Sequence, residues 1–175
     1  DRMLRCFFAS EQPGVRESQT WYIDFDMERA EFNRSIHKAK LNIETRLYDM
    51  QPKYLYEYAV SKGLTRPKKD FGMYIVDSFK AFDQKIYAVL NNFPIGQNAL
   101  SVVNDDLDTF EVVGVYDHPS SMKLTESSIN RLPDGTWLAI SRREDGDQNY
   151  AFAESKDGIH WTPHTTRQPV LGGTC

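Results

Sequence analysis

Glu126 and Arg142 are the residues of this 175-residue chain whose types and spacing best suit site chemistry. A carboxylate can take the proton of a weak nucleophile. A planar guanidinium can bind a carboxylate through two parallel hydrogen bonds. The two residues flank Leu132-Pro133-Asp134-Gly135, where Pro and Gly favour a turn. Glu126 lies on the strand predicted before this turn and Arg142 directly follows the strand predicted after it, so that the two form either a site or a structural ion pair within one unit.

A sequence repeat indicates which elements must position this pair. The segment Asn104–Phe110 returns as Ser155–Trp161, at an offset of 51 residues, with acidic and aromatic residues in matching places. A third and weaker copy is Asp26–Phe32. A period near fifty residues is typical of stacked or radial supersecondary units. We therefore interpret the chain as an array of similar units.

The charged pair is not part of the repeated sequence pattern. One unit earlier, the position of Glu126 is occupied by Ile75 and that of Arg142 by Asn91. Because the earlier unit lacks both charges, the repeated architecture does not require them. This difference favours a site role for Glu126 and Arg142.

Each complete unit is predicted to contain four short strands separated by turns. Aromatic-rich strands with turn signals every eight to twelve residues are typical of all-β proteins, and four strands per unit of this length are typical of propeller blades. The fold class that we predict is thus an all-β β-propeller of four-stranded antiparallel blades, with about three blades in this chain. The predicted strands are Gly72–Asp77, Lys85–Leu90, Asn98–Val103 and Phe110–Tyr116, then Leu124–Arg131, Thr136–Ser141, Gln148–Glu154 and a strand from Trp161 onward.

The repeat divides the chain into five segments. Residues 68–118 and 119–168 are each predicted to form a blade, and residues 1–36 the last three strands of another, beginning with Met3–Ala9. Residues 37–67 are an insertion with a short helix, Lys53–Lys62, which either shapes a binding site or covers a sheet edge. Residues 169–175 would start a further blade. Since propellers need about four to eight blades, we expect the remaining blades of the same protein to complete the ring.

The acidic-aromatic motif has a structural and a metal-binding interpretation. Its polar side chains can accept backbone N–H bonds within a tight turn, and its Trp or Phe can pack between units. Asp105, Asp106 and Asp108 could instead bind a cation, but the next copy keeps only Asp157. We therefore predict a turn, with no metal site and no cofactor.

Charge and hydropathy restrict the class of partner. The formal net charge is −4, and no basic run is longer than Lys68-Lys69, which argues against nucleic acid. No stretch approaches the roughly 20 apolar residues of a membrane-spanning helix. The two cysteines, Cys6 and Cys175, fit no metal-binding spacing.

The segment Thr125–Arg142, followed by Ser155–Trp161, resembles the sialidase (neuraminidase) superfamily. Its members carry a Glu, a Leu-x-Asp-Gly turn, a second strand followed by an Arg, and then an Asp-box, also called a BNR repeat. The box in this chain is one residue shorter than the commonest form, and the shorter form also occurs in five-bladed glycosidases. The resemblance implies a six-bladed propeller that is secreted or periplasmic and acts on glycans.

The resemblance also implies roles for individual residues. Glu126 matches the carboxylate that activates a nucleophilic Tyr, and Arg142 matches one of three arginines that bind the carboxylate of the sugar. Sialidases are an exception to the rule of two catalytic carboxylates. The Tyr and the third Arg would lie beyond Cys175. Further candidates are Asp70 and Asp77 for the catalytic acid, and Arg143 and Tyr150 for substrate binding.

Three functions remain open from the sequence. The first is a sialidase-like glycoside hydrolase that releases a terminal, acidic sugar. The second is a glycan-binding or scaffold propeller without catalysis, which is favoured by the shortened box and by the lack of the family's Arg-Ile-Pro motif. The third is a five-bladed glycosidase that uses paired carboxylates.

Overall fold

The computed structural model describes residues 2–10, 18–63, 72–93, 97–116, 122, 124–143 and 150–166. Within these residues 61% lie in strands, and one short helix is present. The strands form three sheets, called sheets 1, 2 and 3 in chain order. The predicted all-β class is therefore confirmed.

Sheet 1 is a three-stranded antiparallel meander of β1 (Met3–Ser10), β2 (Gln19–Asp26) and β3 (Glu31–Lys38). Its inner face carries Phe7 and Tyr22, whose rings contact each other and adjoin the core of sheet 2. The outer strand β3 is exposed along its whole length.

Sheet 2 is a curled sheet of seven strands. Four of them, in the spatial order β6-β8-β9-β10, form the antiparallel unit that the repeat predicts, and β7 also pairs with β8. A hairpin of β4 and β5 extends the sheet beyond β10, with β4 parallel to β10. This hairpin was not predicted, because it lies in the segment interpreted as an insertion. The strands are β4 (Lys40–Ile43), β5 (Arg46–Asp49), β6 (Gly72–Tyr74), β7 (Lys80–Phe82), β8 (Lys85–Phe93), β9 (Gln97–Val103) and β10 (Thr109–Val115).

Sheet 3 is a four-stranded antiparallel sheet in simple chain order. Its strands are β11 (Leu124–Arg131), β12 (Trp137–Arg143), β13 (Ala151–Ser155) and β14 (Thr165–Thr166). The bounds of β11 are those predicted from the sequence. The four-stranded pattern of this unit is thus present in the structure.

The helix α1 (Pro52–Ser61) lies within one residue of its predicted bounds. Pro52 opens it, where a missing N–H costs no helical hydrogen bond, and Gly63 follows it with a φ of 72°. Leu55 and Ala59 on one face are fully buried in the core of sheet 2. No described helix is long and apolar enough to cross a membrane.

Two apolar cores hold the sheets together. The first lies between sheets 1 and 2 and includes the helix, Tyr22 and Phe110. The second lies between sheets 2 and 3, where Val89 and Leu100 meet Trp137 and Trp161. Sheet 2 is therefore the middle layer, and it packs against a neighbour on each side.

Backbone meets backbone where sheet 2 packs against the turn after β13. Gly114 on β10 lies against Gly158 and Ile159, which belong to the turn after β13, so that a Cβ at position 114 would collide with the Gly158 carbonyl oxygen and lie 2.8 Å from the Ile159 Cα. Beside this contact the rings of Tyr116 and Trp161 meet with their centroids 4.4 Å apart. Only glycine at position 114 allows this spacing.

Replacement of Gly114 by alanine is expected to lower the free energy of unfolding by about 3 kcal/mol, because the added methyl group must push sheet 3 away from sheet 2. Gly63→Ala is the matched control. It meets no atom within 4 Å and should cost only about 1 kcal/mol for its positive φ. Urea denaturation of the two variants checks the difference, and equal costs would contradict the tight packing at Gly114.

Candidate functional site

The pair predicted from the sequence is present as a cross-strand contact at a β-bulge. Arg142 Nη1 on β12 lies 3.2 Å from Glu126 Oε2 on β11. The register of the two strands shifts between Leu124 and Ser127, and Glu126 lies in this irregular stretch. A bulge alters the direction of a side chain relative to the regular ladder. Both side chains keep access to solvent, since Glu126 is 38% and Arg142 28% exposed.

Two buried asparagines of sheet 2 hold the bulge from both sides. The side-chain oxygen of Asn91 accepts the Ser127 N–H at 2.7 Å, and the side-chain nitrogen of Asn98 donates to the Thr125 carbonyl at 3.0 Å. Both asparagines are 1% exposed. The backbone groups that the bulge removes from the ladder are thus paired across the sheet boundary. Glu126 lies between two fixed residues, which is the kind of support that holds a functional side chain in place.

Asp77 connects the β6–β7 segment with β11 through several hydrogen bonds. One carboxylate oxygen accepts the Ser128 hydroxyl at 2.8 Å and the Ile129 N–H at 3.3 Å. The other accepts the Ser78 N–H at 2.9 Å and lies 3.2 Å from Lys80 Nζ. These four donors hold the β6–β7 segment against β11, two residues beyond Glu126 along the chain. The assignment of Asp77 as the catalytic acid stays a prediction.

Two other predicted site residues, Arg143 and Tyr150, lie at the same end of sheet 3. Arg143 Nη1 donates to the Thr166 hydroxyl on β14 at 3.2 Å, away from the Glu126 contact. Tyr150 is half-buried and directly precedes Ala151, the cross-strand partner of Ser141, so it comes level with Arg142. The structure thus brings Glu126, Arg142 and Tyr150 to one end of the sheet. Asp70 lies outside the described residues.

The motif Ser155–Trp161 folds as a self-contained turn. The Ser155 hydroxyl accepts the Gly158 N–H at 2.8 Å, and one oxygen of Asp157 accepts the N–H groups of Ile159 and His160, each at 2.8 Å. The Trp161 indole N–H donates to the Gly158 carbonyl at 2.9 Å and places the ring in the core between sheets 2 and 3. The hydrogen bond from the His160 side chain, reinforced by these backbone N–H groups, holds the pKa of Asp157 far below its usual range.

The earlier copy of the motif uses an amide for the same purpose. The Asn104 side-chain oxygen accepts the N–H groups of Asp108 and Thr109 at 3.0 Å, and Phe110 is fully buried. In the weaker copy Asp26 accepts two backbone N–H groups, but Phe32 is exposed. The hydrogen bonds of all three copies therefore confirm the turn interpretation. The aromatic residue packs inward in two of the copies. Among the described residues no three His, Cys, Asp or Glu side chains form a group that could hold a metal.

Asn91 and Asn98 were not predicted from the sequence as residues that support the bulge. The signal was the offset of 51 residues, which places Asn91 at the position of Arg142. In sheet 2 the residue at this repeat position is Asn91, which binds the backbone of sheet 3. In sheet 3 the residue at the same position is Arg142. A polar residue at a repeat position that faces a neighbouring unit is the pattern that would have indicated this role.

Comparison with known proteins gives fold-level information. No protein-family model and no curated protein matches the chain. Among solved structures, it is similar to the crystal structure of a protein of unknown function from Dyadobacter fermentans DSM 18053, with a TM-score of 0.52 and 14% sequence identity. The match covers 85% of this chain and 38% of that chain. At this identity the likeness shows the fold alone.

Asn91→Ala is expected to lower the free energy of unfolding by about 2–3 kcal/mol, because it leaves the buried Ser127 N–H without its acceptor. Asn130→Ala, on the exposed side of the same β11, is the control and should change stability by less than about 0.5 kcal/mol. Thermal unfolding of both variants measures the difference. If Asn91→Ala lowers the free energy of unfolding no more than Asn130→Ala does, the bulge does not depend on the hydrogen bond between Asn91 and Ser127.

The ionised Asp157 should make stability depend on pH. Since its folded pKa lies below the unfolded value of about 3.9, its contribution is fully present above about pH 5 and is lost as the pH falls through the folded pKa. Asp157→Asn should therefore be less stable than the parent chain at pH 7, and the two should converge as the pH falls from 5 toward 2. The control is Asp106→Asn at the equivalent repeat position, whose carboxylate accepts no hydrogen bond within the described structure. Denaturation at several pH values tests this, and a constant difference would contradict it.

Proposed function

We propose that this chain is part of a sialidase-like β-propeller protein that binds and hydrolyses a terminal acidic sugar of glycans. The observation that supports the proposal best is the Glu126–Arg142 pair, which is half-exposed on a bulge clamped by buried asparagines. The three stacked sheets would correspond to neighbouring blades of the ring. The resemblance of Thr125–Arg142 to sialidases supplies the substrate class.

The chemistry assigns different tasks to the two charged groups. The Arg142 guanidinium would bind the carboxylate of the sugar, which competes with Glu126 for its N–H donors. Glu126 would accept the proton of a tyrosine nucleophile supplied by another part of the ring. Because the bulge is held from both sides, little conformational entropy is lost when substrate binds. Tyr150, at the same end of the sheet, would offer an aromatic face to the sugar.

The second candidate is a glycan-binding propeller without catalysis. It is favoured by Asp77, the described candidate for the catalytic acid, whose carboxylate already accepts hydrogen bonds from four donors. The two candidates agree on sugar binding at Arg142. They differ on whether Glu126 takes part in bond cleavage.

Arg142→Ala is expected to weaken binding of a methyl glycoside of N-acetylneuraminic acid by roughly tenfold to a hundredfold, which corresponds to the loss of a charged hydrogen-bonded contact. Arg131→Ala is a matched control, because Arg131 is also 28% exposed and also pairs with a carboxylate, that of Asp83, at the other end of β11. Titration calorimetry measures the affinity of both variants and of the parent chain for this glycoside. Methyl galactoside, which lacks the carboxylate, should bind equally to all three proteins.

Glu126→Gln separates the two candidate functions. It should preserve or strengthen binding of the acidic sugar, since the competing carboxylate is gone. In a protein that contains the complete ring it should lower kcat on a fluorogenic sialoside by about a hundredfold or more if Glu126 activates the nucleophile. An acidic sugar that binds the parent chain and Arg142→Ala equally would overturn the proposed site.

A further inference from the structure

A row of polar side chains crosses sheet 2 on the face that packs against sheet 3. Asn91 and Asn98 are cross-strand partners on β8 and β9, and the Tyr116 N–H donates to the Asn98 carbonyl at 2.9 Å. Both asparagines bind the β11 backbone, and the Tyr116 ring lies in the core between the two sheets. The row therefore meets β11 at the irregular stretch that carries Glu126.

Three buried polar atoms in this region have no hydrogen-bond partner within the described structure. They are Oδ1 of Asn98, the hydroxyl oxygen of Tyr116 and Oγ1 of Thr125. Asn98 and Tyr116 are 1% exposed, and Thr125 is fully buried. An unpaired polar group in a protein interior costs free energy, so nearly all such groups are paired with protein or with internal water.

The contacts of these residues place the three atoms in the same region of the sheet boundary. The Asn98 side chain donates to the Thr125 carbonyl at 3.0 Å, so Asn98 Oδ1 lies beside Thr125. Burial raises the pKa of the Tyr116 hydroxyl, and the neighbouring Ser127 hydroxyl offsets part of this rise without making a hydrogen bond to it. The Ser127 hydroxyl is directed to the Ser128 carbonyl instead, at 3.5 Å. The Tyr116 oxygen thus reaches the residue two positions after Thr125 and has no partner there.

The chemistry of the three groups fits a water molecule. The Asn98 amide oxygen accepts a hydrogen bond, and the hydroxyls of Tyr116 and Thr125 each donate and accept, which suits the donors and acceptors of water. Buried waters make about three hydrogen bonds each. The three groups carry no charge, so they would not compensate the burial of a cation. Because these residues are at most 1% exposed, a larger solute has no access to them.

We propose that Asn98, Tyr116 and Thr125 bind one internal water molecule, which links sheet 2 with β11 at the Glu126 bulge. The water adds a connection across the sheet boundary to the direct hydrogen bonds of Asn91 and Asn98. It also gives a task to the two hydroxyls, since Phe and Val would fill nearly the same volumes without a polar atom to satisfy. The support of Glu126 therefore includes a bound solvent molecule as well as side chains.

A double-mutant cycle of Tyr116→Phe and Thr125→Val, measured by urea denaturation, tests the proposal. Each substitution should raise the equilibrium constant of unfolding about fivefold, because it removes one hydrogen bond of the water. The double variant should show less than the product of the two single effects, since both residues bind the same molecule. Tyr54→Phe is the matched control. The Tyr54 ring also packs on another ring, that of Tyr48 at 4.2 Å, but Tyr54 is half-buried, and its replacement should change the constant by less than about twofold.

Oxygen-17 relaxation dispersion detects the water itself, because its signal comes from internal water molecules and not from protein hydroxyls. The double variant should lose the contribution of one internal water, and Tyr54→Phe should keep it. Single variants that are as stable as the parent chain, or more stable, would overturn the proposal, because the hydroxyls would then be unpaired. Additive single effects or an unchanged dispersion would also overturn it. A parent chain whose stability differs between sodium, potassium and choline chloride would assign the three groups to a cation instead.

Discussion

The close approach of Gly114 to the Gly158–Ile159 backbone is the constraint on which the rest of the structure depends. It fixes the distance between sheets 2 and 3 at a value that only a glycine on β10 permits. The acidic-aromatic turn supplies the other half of this contact, since its hydrogen bonds hold Gly158 in place and direct Trp161 toward Tyr116. The acidic-aromatic turn, which in sequence resembles a functional motif, thus serves to pack sheet 3 against sheet 2.

The candidate site follows from this spacing. Asn91 and Asn98 can reach the β11 backbone only because the two sheets lie so close together, and their hydrogen bonds replace those that the bulge removes. The irregular stretch around Glu126 is therefore supported from a different sheet, not from its own ladder. Buried amides that pair with backbone groups are costly to disturb, because either partner left alone in the interior loses its hydrogen bond without regaining water. The position of Glu126 is consequently coupled to the integrity of the whole sheet boundary.

Much of this architecture could be predicted from the sequence, because local sequence patterns determine it. The bounds of β11, the helix and the acidic-aromatic turns follow from turn residues, a Pro-Gly pair and a repeat. The parallel pairing of β4 with β10 could not be predicted in the same way, since residues 40–42 meet residues 109–111 with no periodic signal between them. The hydrogen bonds of Asn91 and Asn98 also join residues that are far apart in the sequence, so they could not be predicted from local patterns.

We infer that sheets 2 and 3 form one cooperative unit that holds the Glu126 bulge rigid. Native-state hydrogen exchange of the Ser127 amide tests it most directly, because this N–H donates to Asn91 across the sheet boundary. We expect the Ser127 amide to exchange only through global unfolding, with the same free energy and denaturant dependence as the buried amides in the middle of β8 and β9. Exchange of Ser127 through a local opening several kcal/mol below the global value, while those strands stay protected, would contradict it.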